Sequence, residues 1–258
     1  MDINYYVFSG TGNTLLVARE VAAELTRKGC CVTLRRMEEG APASFPSDCV
    51  VGLAFPMAFF SSYPLVLDFI EKLPRGTGQQ LFITASMAGS GMGAEAEFRS
   101  LISAKGYKPA AFACFLMPSN YNNKVLPVKK NEALVAAAKE NARRFAADFA
   151  DGRAKWGFGI PMLSSFWHWF VTSGKAMRLF YKMFPLEIDN EKCVKCMRCM
   201  ENCPVGAIDQ NIESLFINRA KCQNCQRCVG FCPAGAIVVP GKPAAQYRAV
   251  EFEDFRGK

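Results

Sequence analysis

The sequence lacks the features that mark several large classes of protein. No dense run of Lys and Arg accompanies a recognisable nucleic-acid-binding motif, so the formal net charge of +8 does not indicate nucleic acid as a partner. Residues 1–10 contain no basic region followed by an apolar stretch, so we expect no secretory signal here. Twelve cysteines without such a signal argue against a disulfide framework. They favour metal or redox chemistry in a reducing compartment, and we expect a cytoplasmic protein.

Eight of the cysteines form two runs of identical spacing. The first run reads C-x-x-C-x-x-C-x-x-x-C-P over residues 193–204, and the second repeats it 29 positions later, over residues 222–233. A Gly-Ala-Ile sequence follows each run, at 206–208 and at 235–237. This repetition predicts an internal duplication in which each half is a metal-binding unit.

The spacing within each run suits a cubane [4Fe–4S] cluster. Three cysteines at intervals of two residues let a tight loop wrap one face of the cluster, and the fourth, followed by Pro, starts a turn that leads toward the other cluster. The predicted ligands are Cys193, Cys196, Cys199 and Cys232 for cluster one, and Cys222, Cys225, Cys228 and Cys203 for cluster two. The alternative is zinc, whose sites usually use two CxxC pairs or a histidine at longer intervals. Over about residues 186–240 the sequence resembles bacterial two-cluster ferredoxins.

Residues 1–150 alternate between short apolar runs and amphipathic segments. The predicted strands are 3–8, 31–35, 49–54, 80–85 and 110–117, and the predicted helices are 14–28, 64–73, 95–105 and 131–150. Such an alternation predicts an α/β fold with a parallel sheet covered on both faces. The remaining cysteines lie in or beside these strands, and we interpret them as small buried hydrophobic residues rather than redox groups. They are Cys30, Cys31, Cys49 and Cys114.

The turn between the first strand and helix is rich in glycine and hydroxyl residues. It reads Ser-Gly-Thr-Gly-Asn-Thr over residues 9–14. It is not the dinucleotide fingerprint, because Leu15 stands at the third glycine position, and it is not a P-loop, because no Gly-Lys-Ser/Thr follows. Exposed N–H groups at a helix N-terminus favour a phosphate, here a phosphate monoester. The alternative is a simple helix cap.

This turn matches the Ser/Thr-x-Thr-Gly-x-Thr phosphate loop of flavodoxins, and the order of strands and helices is similar to theirs. The resemblance implies a flavodoxin-like doubly wound five-stranded parallel sheet that binds FMN. The FMN-binding residues it implies are Ser9, Thr11, Gly12, Asn13, Thr14, Pro56, Met57, Phe59, Phe60, Ser86, Met87, Gly89, Asn120 and Tyr121. Phe59, Phe60 and Tyr63 are candidates for stacking on the flavin ring, and core packing is an equal alternative for the first two.

Residues 151–185 form an aromatic and basic connecting segment, which we predict to be helical. Its stretch 156–174 has no Asp, Glu, Lys or Arg, but Gly and Pro interrupt it, so a membrane-spanning helix is not expected. We favour a helix packed between two modules. The alternative is an interfacial helix that touches a membrane surface through Lys175, Arg178 and Lys182. The single histidine, His168, lies between two tryptophans and is interpreted as a packed or interfacial side chain rather than a catalyst.

Nearly the whole chain resembles the flavodoxin–ferredoxin fusion proteins of anaerobic bacteria and archaea. The resemblance implies an FMN-binding domain over residues 1–150, the connector, and a small α+β ferredoxin-like domain with a C-terminal tail over residues 186–258. It implies an oxidoreductase that relays electrons between two [4Fe–4S] clusters and FMN, with a low-potential donor or acceptor protein as partner and a small molecule or redox protein as substrate. The alternatives are a pure electron-transfer subunit and a binding module that has lost FMN.

Overall fold

The computed structural model describes residues 1–58, 61–89, 94–120, 127–157, 179, 185–241 and 246–256. Its N-terminal part alternates strands and helices as predicted. The strands are β1 (Asp2–Val7), β2 (Cys31–Arg36), β3 (Val50–Pro56), β4 (Gln80–Met87) and β5 (Lys108–Leu116). The helices are α1 (Asn13–Arg27), α2 (Pro64–Lys72), α3 (Ala94–Ala104) and α4 (Val128–Ala150), and a turn of 3₁₀ helix, Met37–Glu39, follows β2. The ends of each element lie within three residues of their predicted positions.

The five strands form one parallel sheet in the order β2-β1-β3-β4-β5. This is the flavodoxin order, in which the chain reverses direction across the sheet between β1 and β3. Two apolar clusters cover the sheet, one formed with α1 and α4 and the other with α2 and α3. The prediction of a flavodoxin-like fold is therefore confirmed. Ligands of such sheets bind at the carboxyl ends of the strands beside the reversal point.

The C-terminal part is a small α+β unit. It contains β6 (Glu187–Ile188), α5 (Arg198–Glu201), β7 (Ile208–Gln210), β8 (Leu215–Ile217), α6 (Arg227–Gly230) and β9 (Ile237–Val238), and a last helix, α7 (Glu253–Arg256), follows it. Helix α6 lies 29 positions after α5, as the duplication requires. Strand β6 pairs antiparallel with β9, and β7 pairs antiparallel with β8. Each ribbon therefore joins the two repeats, so neither repeat forms a complete unit alone.

The segment 246–256, which we call the tail, packs on the N-terminal domain as well as on the unit that precedes it in sequence. Val250, Phe252 and Phe255 belong to the apolar cluster formed with α1 and α4. Phe231, from the second repeat, joins the same cluster and contacts the rings of Phe252 and Phe255 at 5.8 and 4.9 Å between centroids. The two parts of the chain thus share a hydrophobic core.

Two predictions need comment. The interpretation of four cysteines as buried was wrong for Cys31, which is exposed, whereas Cys30 and Cys49 are buried and Cys114 is half-buried. Strand β2 lies at the sheet edge, where exposed and half-buried positions alternate, and Cys31 begins it at an exposed position. Most of the connector, including His168, lies outside the described residues. Within the described ranges, no helix has the length and apolar character needed to cross a membrane.

Candidate functional site

The eight paired cysteines surround two separate cavities. One cavity is lined by Cys193, Cys196, Cys199 and Cys232, and the other is lined by Cys203, Cys222, Cys225 and Cys228. Each set takes three cysteines from one repeat and the fourth from the other. The empty space at each cavity, including the part open to solvent, is about 340 Å³. The structure therefore groups the cysteines in the two sets that the spacing predicts.

The backbone around each cavity repeats with the sequence. Lys195 and Met197 in the first loop have φ values of 51° and 60°, and Asn224 and Gln226 in the second loop have 56° and 63°. Left-handed residues that alternate with right-handed ones turn successive N–H groups to one side, which forms a concave site for an anion. Positive φ costs energy in residues other than glycine, so its appearance at equivalent positions indicates a built feature of both loops.

Backbone N–H groups also point at the cysteine sulfurs. The N–H of Ala207 donates to Cys203 Sγ at 3.1 Å, and at the equivalent place in the second repeat the N–H of Ala236 donates to Cys232 Sγ at 3.3 Å. Hydrogen bonds to sulfur are one of the means by which proteins set cluster potentials. They are present here at the fourth cysteine of each run, the one that crosses to the other cavity.

Three thiols at these cavities are harder to ionise than a free cysteine. Burial raises the pKa of the Cys199 thiol to about 11 and that of the Cys225 thiol to about 11, and it raises the pKa of the Cys228 thiol well above its usual value. Among the described residues, no three His, Cys, Asp or Glu side chains converge as they would around one metal ion. The cysteines instead surround a space. That arrangement fits a cluster of several iron and sulfur atoms, whose binding would displace the thiol protons.

The phosphate-loop residues lie at the carboxyl end of β1, as the sequence predicts. Gly12 is the N-cap of α1 with a φ of 100°, and the helix has no side-chain cap. Thr14 lies in the first turn of α1, and Ser86 lies near the end of β4. Their hydroxyl oxygens are 2.7 Å apart. Ser9 is 4% exposed, and its buried Oγ has no hydrogen-bond partner in the described part of the chain. An uncapped helix N-terminus beside an unpaired buried hydroxyl fits a phosphate group.

A cleft adjoins this loop, and most of the predicted FMN residues line it. Those that line it are Ser9, Thr11, Asn13, Thr14, Pro56, Met57, Ser86, Met87 and Asn120. Tyr63 also lines the cleft, and the centre of its ring lies 5.7 Å from the centre of the Phe8 ring. Gly89 is exposed and Gly12 lies outside the lining, so the structure does not bring these two into the cleft. Phe59, Phe60 and Tyr121 lie outside the described residues.

Side chains of the phosphate loop are also held by other parts of the chain. Asn120 Nδ2 donates to Thr11 Oγ1 at 2.9 Å, and Asn13 Nδ2 donates to the carbonyl of Pro118 at 2.9 Å. The tail reaches the same loop, because the Tyr247 hydroxyl donates to Asn13 Oδ1 at 2.9 Å. These three hydrogen bonds hold the loop against Asn120, Pro118 and Tyr247. No sequence pattern indicates the tail contact, because its two partners are more than two hundred residues apart.

The cleft and the second cysteine cavity share a residue. Cys225 lines both, so one of the four cysteines of the second cavity faces the cleft beside the phosphate loop. A Cβ on Gly10 would collide with the carbonyl oxygen of Cys225, so only glycine permits this approach. Sequence reasoning identified both motifs but did not predict that they touch.

A second, larger cavity adjoins Ser9, and two ion pairs lie in its lining. Arg19 pairs with Asp254 at 2.8 Å, and Arg36 pairs with Glu38 at 3.1 Å. We assign no ligand to this cavity.

A known protein family matches the C-terminal part of the chain. The 4Fe-4S binding domain family matches residues 186–209 and 215–238, which are the two repeats. No curated protein matches the chain.

Solved structures similar to the N-terminal part include flavodoxins. Two-electron reduced flavodoxin of Megasphaera elsdenii is 22% identical, with a TM-score of 0.40 over 54% of this chain and 98% of its own. Oxidised flavodoxin 1 of Bacillus cereus is 15% identical, with a TM-score of 0.42 over 58% of this chain and 98% of its own. Rubredoxin oxygen:oxidoreductase of Desulfovibrio gigas is 16% identical, with a TM-score of 0.37 over 57% of this chain and 36% of its own.

The fold of the N-terminal part follows from its strand order and the placement of its helices, and the 4Fe-4S binding domain follows from the family match. Together they support electron transfer as the general function, with redox proteins as the kind of partner. The chain therefore combines a flavodoxin-like α/β fold in its N-terminal part with a 4Fe-4S binding domain in its C-terminal part.

Proposed function

We propose that this protein relays electrons between two [4Fe–4S] clusters and FMN, as a ferredoxin-linked reductase of a small molecule or of another redox protein. One observation carries the proposal. Cys225 lines both the second cysteine cavity and the cleft beside the phosphate loop. Electron transfer through protein slows steeply with distance, so a ligand of one redox group in the wall of the other's site gives a short path between them.

The two cysteine sets would each hold one cluster. Cluster one would be bound by the cavity of Cys193, Cys196, Cys199 and Cys232, and cluster two by the cavity of Cys203, Cys222, Cys225 and Cys228. Support comes from the equal size of the cavities, from the N–H groups aimed at sulfur, and from the family match over both repeats. Four thiolates around each cavity supply a complete ligand set.

FMN would be bound with its phosphate at the N-terminus of α1. Ser9, Thr11 and Thr14 would supply hydroxyl groups there, and the uncapped helix would supply N–H groups. Pro56, Met57, Ser86, Met87 and Asn120 line the rest of the cleft, where the flavin ring would lie. A flavin exchanges electrons singly or in pairs, whereas a cluster exchanges one at a time. A flavin can therefore accept single electrons from a cluster and pass one or two to a substrate.

The exposure of the two cavities suggests the order of the relay. Around the first cavity Cys196 is exposed and Val194 is 65% exposed, whereas Cys225 and Cys228 at the second cavity are more buried. An external redox protein would therefore meet cluster one at the surface. Cluster two would stand between cluster one and the cleft. The domain limits that we propose, residues 1–150 and 186–258 with a connector between them, place all cluster ligands in the second domain.

The proposal is tested by composition and by rates. Protein purified without oxygen should contain about eight irons per chain, with acid-labile sulfide and one FMN. In a Cys203→Ala variant, reduced ferredoxin should reduce the flavin much more slowly than in the wild type. Cys31→Ala is the matched control, because Cys31 is exposed and lies outside both cavities.

Two results would contradict the proposal. Stoichiometric zinc without sulfide after anaerobic reconstitution would remove the clusters. Equal rates of flavin reduction in Cys203→Ala and in Cys31→Ala would remove the relay. Protein that holds both clusters but fails to bind FMN would correspond to the alternative of a binding module with a flavodoxin fold.

A further inference from the structure

Arg227 is a buried arginine in the second cysteine loop, between Cys225 and Cys228. It is 2% exposed. Its Nε and Nη2 donate to the carbonyl of Ser9 at 3.2 and 2.7 Å, and its Nη1 donates to the carbonyl of Asn202 at 3.2 Å. Ser9 begins the phosphate loop, and Asn202 precedes the fourth cysteine of the second cavity. The guanidinium group therefore joins the two cysteine segments of that cavity to the phosphate loop.

The remaining surface of the guanidinium group is also occupied. Its Nη2 forms an ion pair with the Glu38 carboxylate. Its Cζ atom lies 5.5 Å from the ring centre of Phe8 and 4.9 Å from that of Phe255. Phe8 immediately precedes the phosphate loop, and Phe255 belongs to the tail. A buried guanidinium group is tolerated where its hydrogen bonds are made and a carboxylate faces it. Removing one partner would leave the others uncompensated.

The duplication supplies an internal reference for this residue. Arg198 stands 29 positions earlier, at the same place between Cys196 and Cys199. It is exposed, and its guanidinium group lies 4.8 Å from the ring centre of Phe252. The same residue type in the same loop geometry is therefore buried at one cavity and exposed at the other. Arg227 donates to the carbonyl of Ser9, so we attribute its burial to the docking of the second loop on the flavodoxin-like domain.

The charges around Arg227 do not cancel. Glu38 Oε1 accepts a hydrogen bond from Arg36 at 3.1 Å as well as one from Arg227, so two arginines share one carboxylate. The sum of these three charges is +1. Arg227 is buried beside Cys225, whereas the side chains of Arg36 and Glu38 are 30% and 13% exposed. Reduction makes a cluster more negative by one charge, and a nearby positive charge favours that state and raises the potential. The charge on Arg198 is exposed to water and to salt, which weaken its effect.

We propose that Arg227 is a positioning residue that holds cluster two against the phosphate loop and makes cluster two a better electron acceptor than cluster one. The inference rests on the proposed function only in assuming that both cavities hold clusters. It gives the relay a direction, because an electron that enters at the exposed cluster one would move to cluster two beside the cleft.

Redox titration of the anaerobic protein, followed by electron paramagnetic resonance of the two clusters, tests this inference without use of the flavin. In Arg227→Met the reduction potential of cluster two should fall relative to that of cluster one. The equilibrium between the two clusters should shift at least tenfold toward reduced cluster one, which for one electron corresponds to a change of about 59 mV in the potential difference. Arg227→Lys keeps the charge and should restore most of the difference. Arg198→Met is the matched control and should leave the potential of cluster two unchanged.

A second variant keeps the test decisive if Arg227→Met fails to assemble its clusters. Glu38→Gln removes the negative charge and keeps a hydrogen-bond acceptor for Arg227, so it should raise the potential of cluster two. Unchanged potentials in Arg227→Met and in Glu38→Gln, or a shift of the same sign in both, would overturn the role of Arg227. Absence of clusters from the wild type would instead overturn the proposed function, so the two failures are distinguishable.

Discussion

The carbonyl oxygen of Cys225 occupies the space that a side chain on Gly10 would need. The backbone of the second cysteine loop therefore lies directly against the phosphate loop. A similar close approach occurs nearby, because a Cβ on Gly230 would lie 2.9 Å from Thr11 Cγ2. Glycine on each side of the interface removes the side chains that would hold the two surfaces apart. This contact makes the relation between the two domains a specific one that substitutions can test.

A methyl group at Gly10 should separate the two domains. In Gly10→Ala we expect both clusters to assemble but electron transfer from the clusters to the flavin to slow by tenfold or more, because the second cysteine loop can no longer rest on the phosphate loop. Stopped-flow absorption of the flavin after mixing with reduced ferredoxin measures the rate. Gly89→Ala is the control, because a Cβ there meets no atom within 4 Å among the described residues. Similar rates in the two variants would show that the close approach has no role in transfer.

Because each cavity takes its fourth cysteine from the other repeat, substitution of that cysteine should affect the cluster of the other repeat. Cys203→Ala should disturb the cluster of the second loop, and Cys232→Ala should disturb the cluster of the first loop, because each crosses to the other cavity. Iron analysis and electron paramagnetic resonance of each variant resolve which cluster is lost. Loss of the first-loop cluster in Cys203→Ala would show that the cavities do not represent the ligand sets.

The Thr11 hydroxyl should contribute to FMN affinity. A hydrogen bond to a charged group contributes about 1.5–3 kcal/mol, so Thr11→Ala should weaken FMN binding about tenfold or more. Loss of the Asn120 contact to Thr11 Oγ1 adds to the effect. Fluorescence titration of flavin-free protein with FMN measures the affinity. Thr26 lies near the other end of α1, where its hydroxyl donates to the carbonyl of Ala22 in the same helix. Thr26→Ala should bind FMN as the wild type does, and a loss of affinity in both variants would indicate a general effect on the helix.

The tail should stabilise the FMN site through Tyr247. Its hydroxyl donates to Asn13 Oδ1, and a hydrogen bond of this kind contributes about 1 kcal/mol, so Tyr247→Phe should weaken FMN binding about fivefold. Tyr107→Phe loses a comparable hydrogen bond, to the carbonyl of Pro74, far from the phosphate loop. That variant should lose stability without losing FMN affinity. Equal FMN affinities for Tyr247→Phe and Tyr107→Phe would remove the tail from the binding site.

Alkaline pH should destabilise the flavin-free protein through buried tyrosines. Burial raises the pKa of Tyr247 to about 12 and that of Tyr107 to about 12, whereas the unfolded chain has tyrosine pKa values of about 10. Between these two pKa values the folded state binds more protons than the unfolded state. The free energy of unfolding therefore falls as pH rises from about 10 to about 12. Below about pH 10 these tyrosines are protonated in both states, so they do not change the free energy of unfolding there. Urea midpoints across that range measure the slope, which should be smaller in Tyr247→Phe. An unchanged slope in that variant would contradict the assignment.

Much of this arrangement could be predicted because it is local. Cluster ligands follow each other at intervals that a cubane requires, so the spacing of Cys193 to Cys203 and its repeat predict the sets that line each cavity. The alternation of apolar runs with amphipathic segments likewise predicts the strands and helices, since period and length distinguish them. The same periodicity does not distinguish an edge strand from a central one, and for this reason the burial of Cys31 was predicted wrongly.

The contacts between distant segments could not be predicted. Arg198 and Arg227 occupy equivalent positions in the two repeats, and nothing within either loop indicates which of them is buried. The contact of Cys225 with Gly10 and that of Tyr247 with Asn13 depend on how complete surfaces fit together. Periodicity describes one element at a time, so it carries no information on such docking. The residues that join the redox sites were therefore found only in the structure.

The covering of the phosphate loop by the tail has a consequence for biosynthesis. Val250 Cγ2 lies so close to Gly12 that a Cβ there would be 2.6 Å away, and the N–H of Ala249 donates to the carbonyl of Thr11 at 2.8 Å. The ribosome makes the phosphate loop early and these covering residues much later. A nascent flavodoxin-like domain would therefore fold with its phosphate loop uncovered, and the FMN that we propose would enter before the second cysteine loop and the tail pack against that loop. A truncation that removes residues 246–256 would leave every cluster ligand in place and produce a protein that matures with iron but loses flavin on purification.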